Sequence, residues 1–126
     1  MGGEESRIRV LIADEQPLFA KSLEGLLGYD DRIEVVGRAG DGREAVELAA
    51  SLSPDIVLMD ISMPVMDGFE ATRQIRASGS GAKVIVLTGS DSRGDVTRAR
   101  AAGAAGYVAK ARIGSDLLDA ILAAVS

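Results

Sequence analysis

The apolar positions of this chain fall into short continuous runs that alternate with stretches of helical periodicity. The runs predict five strands, at residues 8–13, 33–37, 55–59, 83–87 and 106–109. Three of them, at 8–13, 55–59 and 83–87, are nearly continuous apolar runs, which is typical of strands buried on both faces of a parallel sheet. The strand at 33–37 is short and the one at 106–109 is weak. Asp14, Asp60, Thr88 and Lys110 directly follow four of these runs.

An amphipathic stretch follows each predicted strand. In the first stretch Pro17 suits an initial helical turn, and Gly28 ends a stripe formed by Phe19, Leu23, Leu26 and Leu27. The other helices are predicted over residues 42–52, 68–77, 91–102 and 116–125, the third of them beginning at Asp91 or Ser92. We expect Asp67 and Ser115 to cap the helices that follow them.

The strand–helix alternation occurs five times without a linker or a long repeat. This order predicts one α/β domain, a doubly wound five-stranded parallel sheet with helices on both faces. Residues 1–6 are predicted to be a flexible N-terminal tail, and residues 7–126 the domain.

Composition narrows the chemistry that this domain is able to perform. The 126 residues include no cysteine and no histidine. Disulfides, thiolate catalysis, Ser-His-Asp triads and most transition-metal sites are thereby excluded. A metal bound by the remaining side chains is expected to be a hard cation held by oxygen atoms.

The chain is acidic: it has 19 Asp and Glu residues against 14 Lys and Arg, which gives a formal net charge of −5. We therefore expect no direct nucleic-acid binding by this segment, since phosphate neutralisation needs a basic face. The sequence has no apolar run of transmembrane length and no secretory signal pattern at its start, so no membrane association is expected. The predicted location is cytoplasmic.

The predicted strand ends place several reactive groups together. The carboxyl ends of parallel strands share one edge of the sheet, and ligands bind there in open α/β folds. Asp14, Glu15, Asp60, Thr88 and Lys110 are expected at that edge. Two carboxylates about 4 Å apart repel by about 4 kcal/mol near a protein surface, and a divalent cation relieves this repulsion. A carboxylate nucleophile, a lysine and Mg²⁺ are together a minimal set for forming an acyl phosphate.

Four sequence blocks carry a resemblance to a known family. They are VLIADEQPLF, PDIVLMDISMPVMDGFEA, VIVLTGSD and AAGAAGYVAK. The chain resembles the receiver domain of bacterial two-component response regulators, from about residue 7 to residue 125. Its amino-acid sequence is similar to those of the subfamily whose receivers precede a LuxR-type helix-turn-helix domain. The resemblance implies a flavodoxin-like (βα)5 fold and a role as a phosphoacceptor switch in a phosphorelay, not a metabolic enzyme.

The resemblance also implies residue roles. Asp60 would accept a phosphoryl group from the phosphohistidine of a partner sensor histidine kinase. Mg²⁺ would be held by Asp14, Glu15, Asp60 and the backbone carbonyl of Ser62, although aspartate is commoner than glutamate at the second position. No other cofactor is implied.

The remaining roles concern the response to phosphorylation. Thr88 and Lys110 would bind phosphoryl oxygens, and Tyr107 would be an aromatic switch that turns inward when Thr88 moves. The residue after the lysine is often a proline preceded by a cis bond, and here it is Ala111.

The apolar character of the last helix suggests a partner surface. We expect helix 91–102, strand 106–109 and helix 116–125 to form a homodimer interface or a docking face for an output domain. The output would be transcription through a DNA-binding domain outside this chain, with a stand-alone receiver as the alternative. Two other functions stay open, a docking receiver that is never phosphorylated and an aspartyl-phosphate phosphatase. The phosphatase is disfavoured because Ser62 occupies the place of its second acid.

Overall fold

The computed structural model describes residues 7–89 and 93–126, which form a parallel sheet between two layers of helices. The strands are β1 (Ile8–Ala13), β2 (Ile33–Ala39), β3 (Ile56–Asp60), β4 (Lys83–Thr88) and β5 (Gly106–Ala109). The helices are α1 (Pro17–Leu27), α2 (Gly42–Leu52), α3 (Gly68–Ala77), α4 (Arg93–Ala102) and α5 (Ile113–Val125), with a 3-10 turn at Lys110–Arg112. The predicted tail and the predicted helix start at Asp91 or Ser92 lie outside the described residues.

The strand order is β2-β1-β3-β4-β5, and all four neighbouring pairs are parallel. The predicted fold class, a doubly wound five-stranded α/β sheet, is confirmed. Because the chain moves outward in opposite directions from β1 and β3, the crevice at their carboxyl ends is the topological switch point, where ligands bind in such folds.

Side chains of successive strand residues enter two different cores, since they alternate between the faces of the sheet. On one face Val10, Ile12, Ile56, Leu58 and Val108 pack against α1 and α5. On the other face Leu11, Val57, Met59, Val86 and Ala99 belong to the core beneath α2, α3 and α4. The continuous apolar runs in the sequence reflect this burial on both sides.

Two helices begin at an aspartate that closes their first turn. The side chain of Asp41 accepts a hydrogen bond from the backbone N–H of Glu44, at 2.8 Å. The predicted cap Asp67 accepts one from the backbone N–H of Glu70, at 2.9 Å. These bonds satisfy amide groups that have no partner within a helix.

The structure corrects several sequence expectations. β2 is two residues longer than predicted, because the exposed Arg38 continues the pairing with β1 although it breaks the apolar run. α5 begins at Ile113 and not at residue 116, so Ser115 lies inside the helix and is not its cap. Leu26 is 44% exposed, outside the buried stripe. In the described part of the chain, no helix is long and apolar enough to cross a bilayer.

Close backbone packing requires a glycine at position 68. It is the first residue of α3, and a Cβ atom there would overlap the backbone carbonyl oxygen of Asp60. Its N–H donates to the carbonyl oxygen of Ile61 at 3.1 Å, which holds the start of α3 against the end of β3. The first turn of α3 therefore fixes the backbone that carries Asp60.

We predict that Gly68→Ala lowers the free energy of unfolding by about 2–3 kcal/mol, the usual cost of overpacking. Urea denaturation measures the change. Gly25→Ala is the matched control, because a Cβ at Gly25 meets nothing within 4 Å in α1. That control should gain about 0.5–1 kcal/mol from helix propensity. Equal stability of Gly68→Ala and wild type would contradict the assigned close packing.

Candidate functional site

Lys110 joins the ends of three strands. Its Nζ atom lies 3.0 Å from Oδ2 of Asp14 and 3.4 Å from Oδ1 of Asp60. Lys110 follows β5, which is separated from β3 by β4, so its long flexible side chain bridges the carboxyl end of the sheet. The structure thus brings three of the predicted site residues together.

Strand alternation explains the convergence of these charged side chains. Asp14, Asp60 and Lys110 each follow by two positions a residue of the core beneath α1 and α5, namely Ile12, Leu58 and Val108. Residues two positions apart in a strand share a face of the sheet. The three charged groups therefore lie on the α1 side of the sheet edge.

Asp14 is fully enclosed by its partners. Its side chain has 0% relative exposure, and its Oδ1 accepts a hydrogen bond from the backbone N–H of Gln16 at 2.8 Å. Its Oδ2 accepts one from Lys110. A buried carboxylate needs such compensation, because losing water without partners would cost several kcal/mol.

The pKa of Asp60 is raised above the usual value for aspartate. Burial is the main cause, and the nearby charge of Asp14 raises the pKa further. The positive charge of Lys110 and a hydrogen bond from the backbone N–H of Ser62 act in the opposite direction. The site therefore holds more negative charge than its single ammonium offsets.

Phe19 forms one wall of the lysine site. The Nζ atom of Lys110 lies 4.3 Å from the centroid of the Phe19 ring, which is within cation–π range. Phe19 belongs to the predicted apolar stripe of α1, and its half-buried position leaves the ring face against the ammonium group. No pattern in the sequence assigns Phe19 to the site.

Thr88 ends β4 on the other side of the sheet. It lies two positions after Val86, a residue of the core beneath α2, α3 and α4. Its hydroxyl donates a hydrogen bond to Oδ2 of Asp95 in α4, at 3.2 Å, and the residue is 1% exposed. Tyr107 pairs with Val86 across β4 and β5 and is 39% exposed. Thr88 and Tyr107 thus lie on neighbouring strands.

The remaining predicted metal ligands are exposed. Glu15 and Ser62 both lie at the surface near the two buried carboxylates. Among residues 7–89 and 93–126, no group of three acidic side chains is arranged to hold a metal ion. Asp14 and Asp60 nevertheless fit Mg²⁺, which is usually bound by one or two carboxylates together with water. A cation would offset the mutual repulsion of these two carboxylates, which together with burial raises the pKa of Asp60.

The predicted partner surface on α4, β5 and α5 carries two exposed large apolar residues, Tyr107 and Val125. An apolar groove of ≈ 250 Å³ lies elsewhere, between α1 and α5, with Leu26 and Leu118 in its walls. The partner surface stays a prediction.

Comparison with known proteins identifies the family to which the chain is similar. The family model described as "Response regulator receiver domain" matches residues 10–122. The match includes β1 through most of α5 and therefore the whole charged cluster.

Individual relatives agree with that family. The transcriptional regulatory protein PdtaR of Mycobacterium tuberculosis is 48% identical over 118 residues, which cover 94% of this chain and 57% of PdtaR. The nitrate/nitrite response regulator protein NarP of Escherichia coli is 39% identical, over 95% of this chain and 56% of NarP. The chain thus spans a little over half the length of these curated relatives.

Solved structures give the same result. A LuxR-family two-component response regulator from Aurantimonas sp. has a TM-score of 0.90 at 33% identity, covering 95% of this chain and 86% of that one. The receiver domain of the response regulator NarL from Mycobacterium tuberculosis also has a TM-score of 0.90, at 31% identity, covering 95% and 97%.

The buried charge of Asp60 predicts a dependence of stability on pH. Because its folded pKa lies above the unfolded value, the folded state binds more protons, and stability falls as pH rises through that range. We expect Asp60→Asn to raise the urea midpoint at neutral pH. The gain should shrink as pH falls toward the ordinary aspartate pKa.

Urea titrations at neutral and acidic pH measure this gain. Asp119→Asn, on the exposed side of α5, is the control and should leave the midpoint unchanged. A lower midpoint for Asp60→Asn at neutral pH would mean that the contacts of Asp60 with Lys110 outweigh its burial.

Proposed function

Because the chain belongs to the response regulator receiver domain family, we propose that it is a signalling switch phosphorylated on Asp60. The observation that carries this proposal is the Lys110 ammonium shared by Asp14 and Asp60 at the topological switch point. This arrangement supplies a carboxylate nucleophile and a cation for phosphoryl oxygens in one crevice.

The proposed reaction is the transfer of a phosphoryl group from a phosphohistidine of a partner sensor histidine kinase. A carboxylate oxygen of Asp60 attacks phosphorus, the N–P bond breaks, and its electron pair stays on the imidazole of the kinase. The product is an acyl phosphate on Asp60. Lys110 would pair with the negative oxygens of the transferring group, as its position 3.4 Å from Asp60 supports.

Asp14 and Asp60 would hold Mg²⁺, with Glu15 and the carbonyl of Ser62 as further ligands by the family resemblance. The ion would neutralise charge on the transferring phosphoryl oxygens when it is bound. Asp14 is prepared for this role because Gln16 and Lys110 already fix its two oxygens.

The output of the proposed switch is a change of conformation. Thr88 would move its hydroxyl toward the phosphoryl group, and Tyr107 would respond on the neighbouring strand. Phosphorylation shifts such an equilibrium only as far as it binds one state more strongly than the other. The burial of Thr88 supports this role, because a buried hydroxyl exchanges one protein partner for another and not for water.

The two rival functions have less support. An aspartyl-phosphate phosphatase would need an acid two residues after the nucleophile, where this chain has the exposed Ser62. A docking receiver that is never phosphorylated would have no need of a buried carboxylate with a raised pKa.

For the whole protein, we propose control of transcription in the cytoplasm. The names of PdtaR and NarP describe a transcriptional regulatory protein and a nitrate/nitrite response regulator. A DNA-binding domain outside this chain would provide the output, since the acidic charge of this segment does not suit DNA.

Phosphorylation of Asp60 is tested with acetyl phosphate and Mg²⁺. We expect intact-mass spectrometry to detect one phosphoryl adduct on wild type and none on Asp60→Asn. Asp67→Asn is the matched control, because its amide oxygen can still cap α3 and it lies in the same loop. That control should keep the adduct. Wild type without an adduct would overturn the switch proposal.

Lys110 is tested through the response to phosphorylation. Lys110→Ala should still bind Mg²⁺ but lose the conformational change that beryllofluoride, a phosphoryl analogue, causes in wild type. Amide chemical shifts by NMR measure both events. Lys83→Ala, at the exposed start of β4, should respond like wild type. A full response in Lys110→Ala would remove the role assigned to Lys110.

A further inference from the structure

We propose that Asp95 is a positioning residue of the switch, which holds the Thr88 hydroxyl until a phosphoryl group on Asp60 competes for it. This inference rests on the proposed function of Asp60. Its starting observation is the hydrogen bond from Thr88 Oγ1 to Asp95 Oδ2, at 3.2 Å.

Thr88 lies at the sheet edge, on the strand next to that of Asp60. Asp60 pairs with Leu87 in the register of β3 and β4, so Thr88 lies one residue beyond the acceptor on the adjacent strand. Asp60 faces the α1 side and Thr88 faces the α4 side, by strand alternation. In this structure the hydroxyl donates to α4.

Competition follows from the chemistry of a hydroxyl. Threonine has a single O–H proton, while a carboxylate and a phosphoryl group offer only acceptors. Both acceptors are anionic and form charge-assisted bonds of similar kind. Recruitment of Thr88 to a phosphoryl group on Asp60 therefore costs the bond to Asp95. Removal of the Asp95 carboxylate should make the recruited state easier to reach.

The exchange would be transmitted to α4, which is weakly anchored by apolar contacts. Ala99 and Ala102 are its buried residues among those described, and both are small. Arg98 contributes a second polar contact, with its guanidinium carbon 4.1 Å from the ring centroid of Phe69 in α3. Because the Thr88 bond reaches the first turn of α4, its loss would free that end while the Arg98 contact keeps the middle in place.

A purely structural role for Asp95 predicts different behaviour. An acidic residue in the first turn stabilises a helix through the helix dipole, whatever Thr88 does. Such a residue would change stability without changing the affinity for a phosphoryl analogue. Its effect would also persist when Thr88 has no hydroxyl.

The test is a titration of the chain with beryllofluoride and Mg²⁺, followed by ¹⁹F NMR. Asp95→Ala should bind beryllofluoride about fivefold more tightly than wild type, the equivalent of about 1 kcal/mol for one hydrogen bond. Asp95→Asn, which keeps an acceptor but loses the charge, should lie between them. In a Thr88→Ala background, Asp95→Ala should have no effect, because the two residues act as one coupled pair.

The outcomes separate this inference from the function on which it rests. No beryllofluoride binding by wild type would overturn the phosphorylation proposal and this inference together. Binding by wild type with equal or weaker binding by both Asp95 variants would overturn the role of Asp95 alone. An equal effect of Asp95→Ala with and without the Thr88 hydroxyl would also overturn it, in favour of a dipole effect. Asp116→Ala is the control for losing an acidic residue from the first turn of a helix, because Asp116 has that position in α5.

Discussion

The contact on which the rest of the structure depends is the Lys110 ammonium between the carboxylates of Asp14 and Asp60. Three strands supply these groups, so the sheet must be in register for the contact to exist. Burial raises the pKa of Asp60, and the charge of Asp14 raises it further against the single ammonium of Lys110. The site is therefore held together and kept electrostatically unfavourable by the same three side chains. Such sites persist because the surrounding core supplies the missing stability.

Much of this arrangement is readable in the sequence, for a physical reason. Strands buried on both faces are largely apolar, so the first polar residue after such a run marks the sheet edge, as Asp14, Asp60 and Lys110 show, whereas the less buried β2 continues through the polar Arg38. Helix boundaries were less predictable where local polar contacts decide them. α5 begins three residues early because a 3-10 turn leads directly into it, and an Arg112–Asp116 ion pair at 2.7 Å spans its first turn.

Two features of the site were beyond any pattern in the sequence. Asp95 stands in an ordinary first turn of a helix, and nothing in its spacing from Thr88 indicates a bond across the strand–helix junction. Gly42 and Gly68 begin helices, as the predicted ranges have it, but the need for glycine at these two positions was not predictable. Cβ atoms there would overlap the carbonyl oxygens of Met66 and Asp60. Close approach between backbones depends on the tertiary packing and leaves no periodic signal.

One face of the sheet edge holds the charged groups of the proposed switch, and the other holds the residues proposed to change conformation. The carboxylates and Lys110 lie on the side of α1 and α5, where Phe19 covers the ammonium. Thr88 lies on the side of α4, with its hydroxyl donating a hydrogen bond to Asp95. A new anionic group on Asp60 would change the charge on the side of α1 and α5. A side chain that exchanges a partner on the α4 side for one on Asp60 would carry that change to α4. In the proposed switch Thr88 has a single O–H proton to donate, so a bond to a phosphoryl group on Asp60 would replace the bond to Asp95. A local change in charge thereby becomes a choice between two arrangements, which is the requirement for a switch.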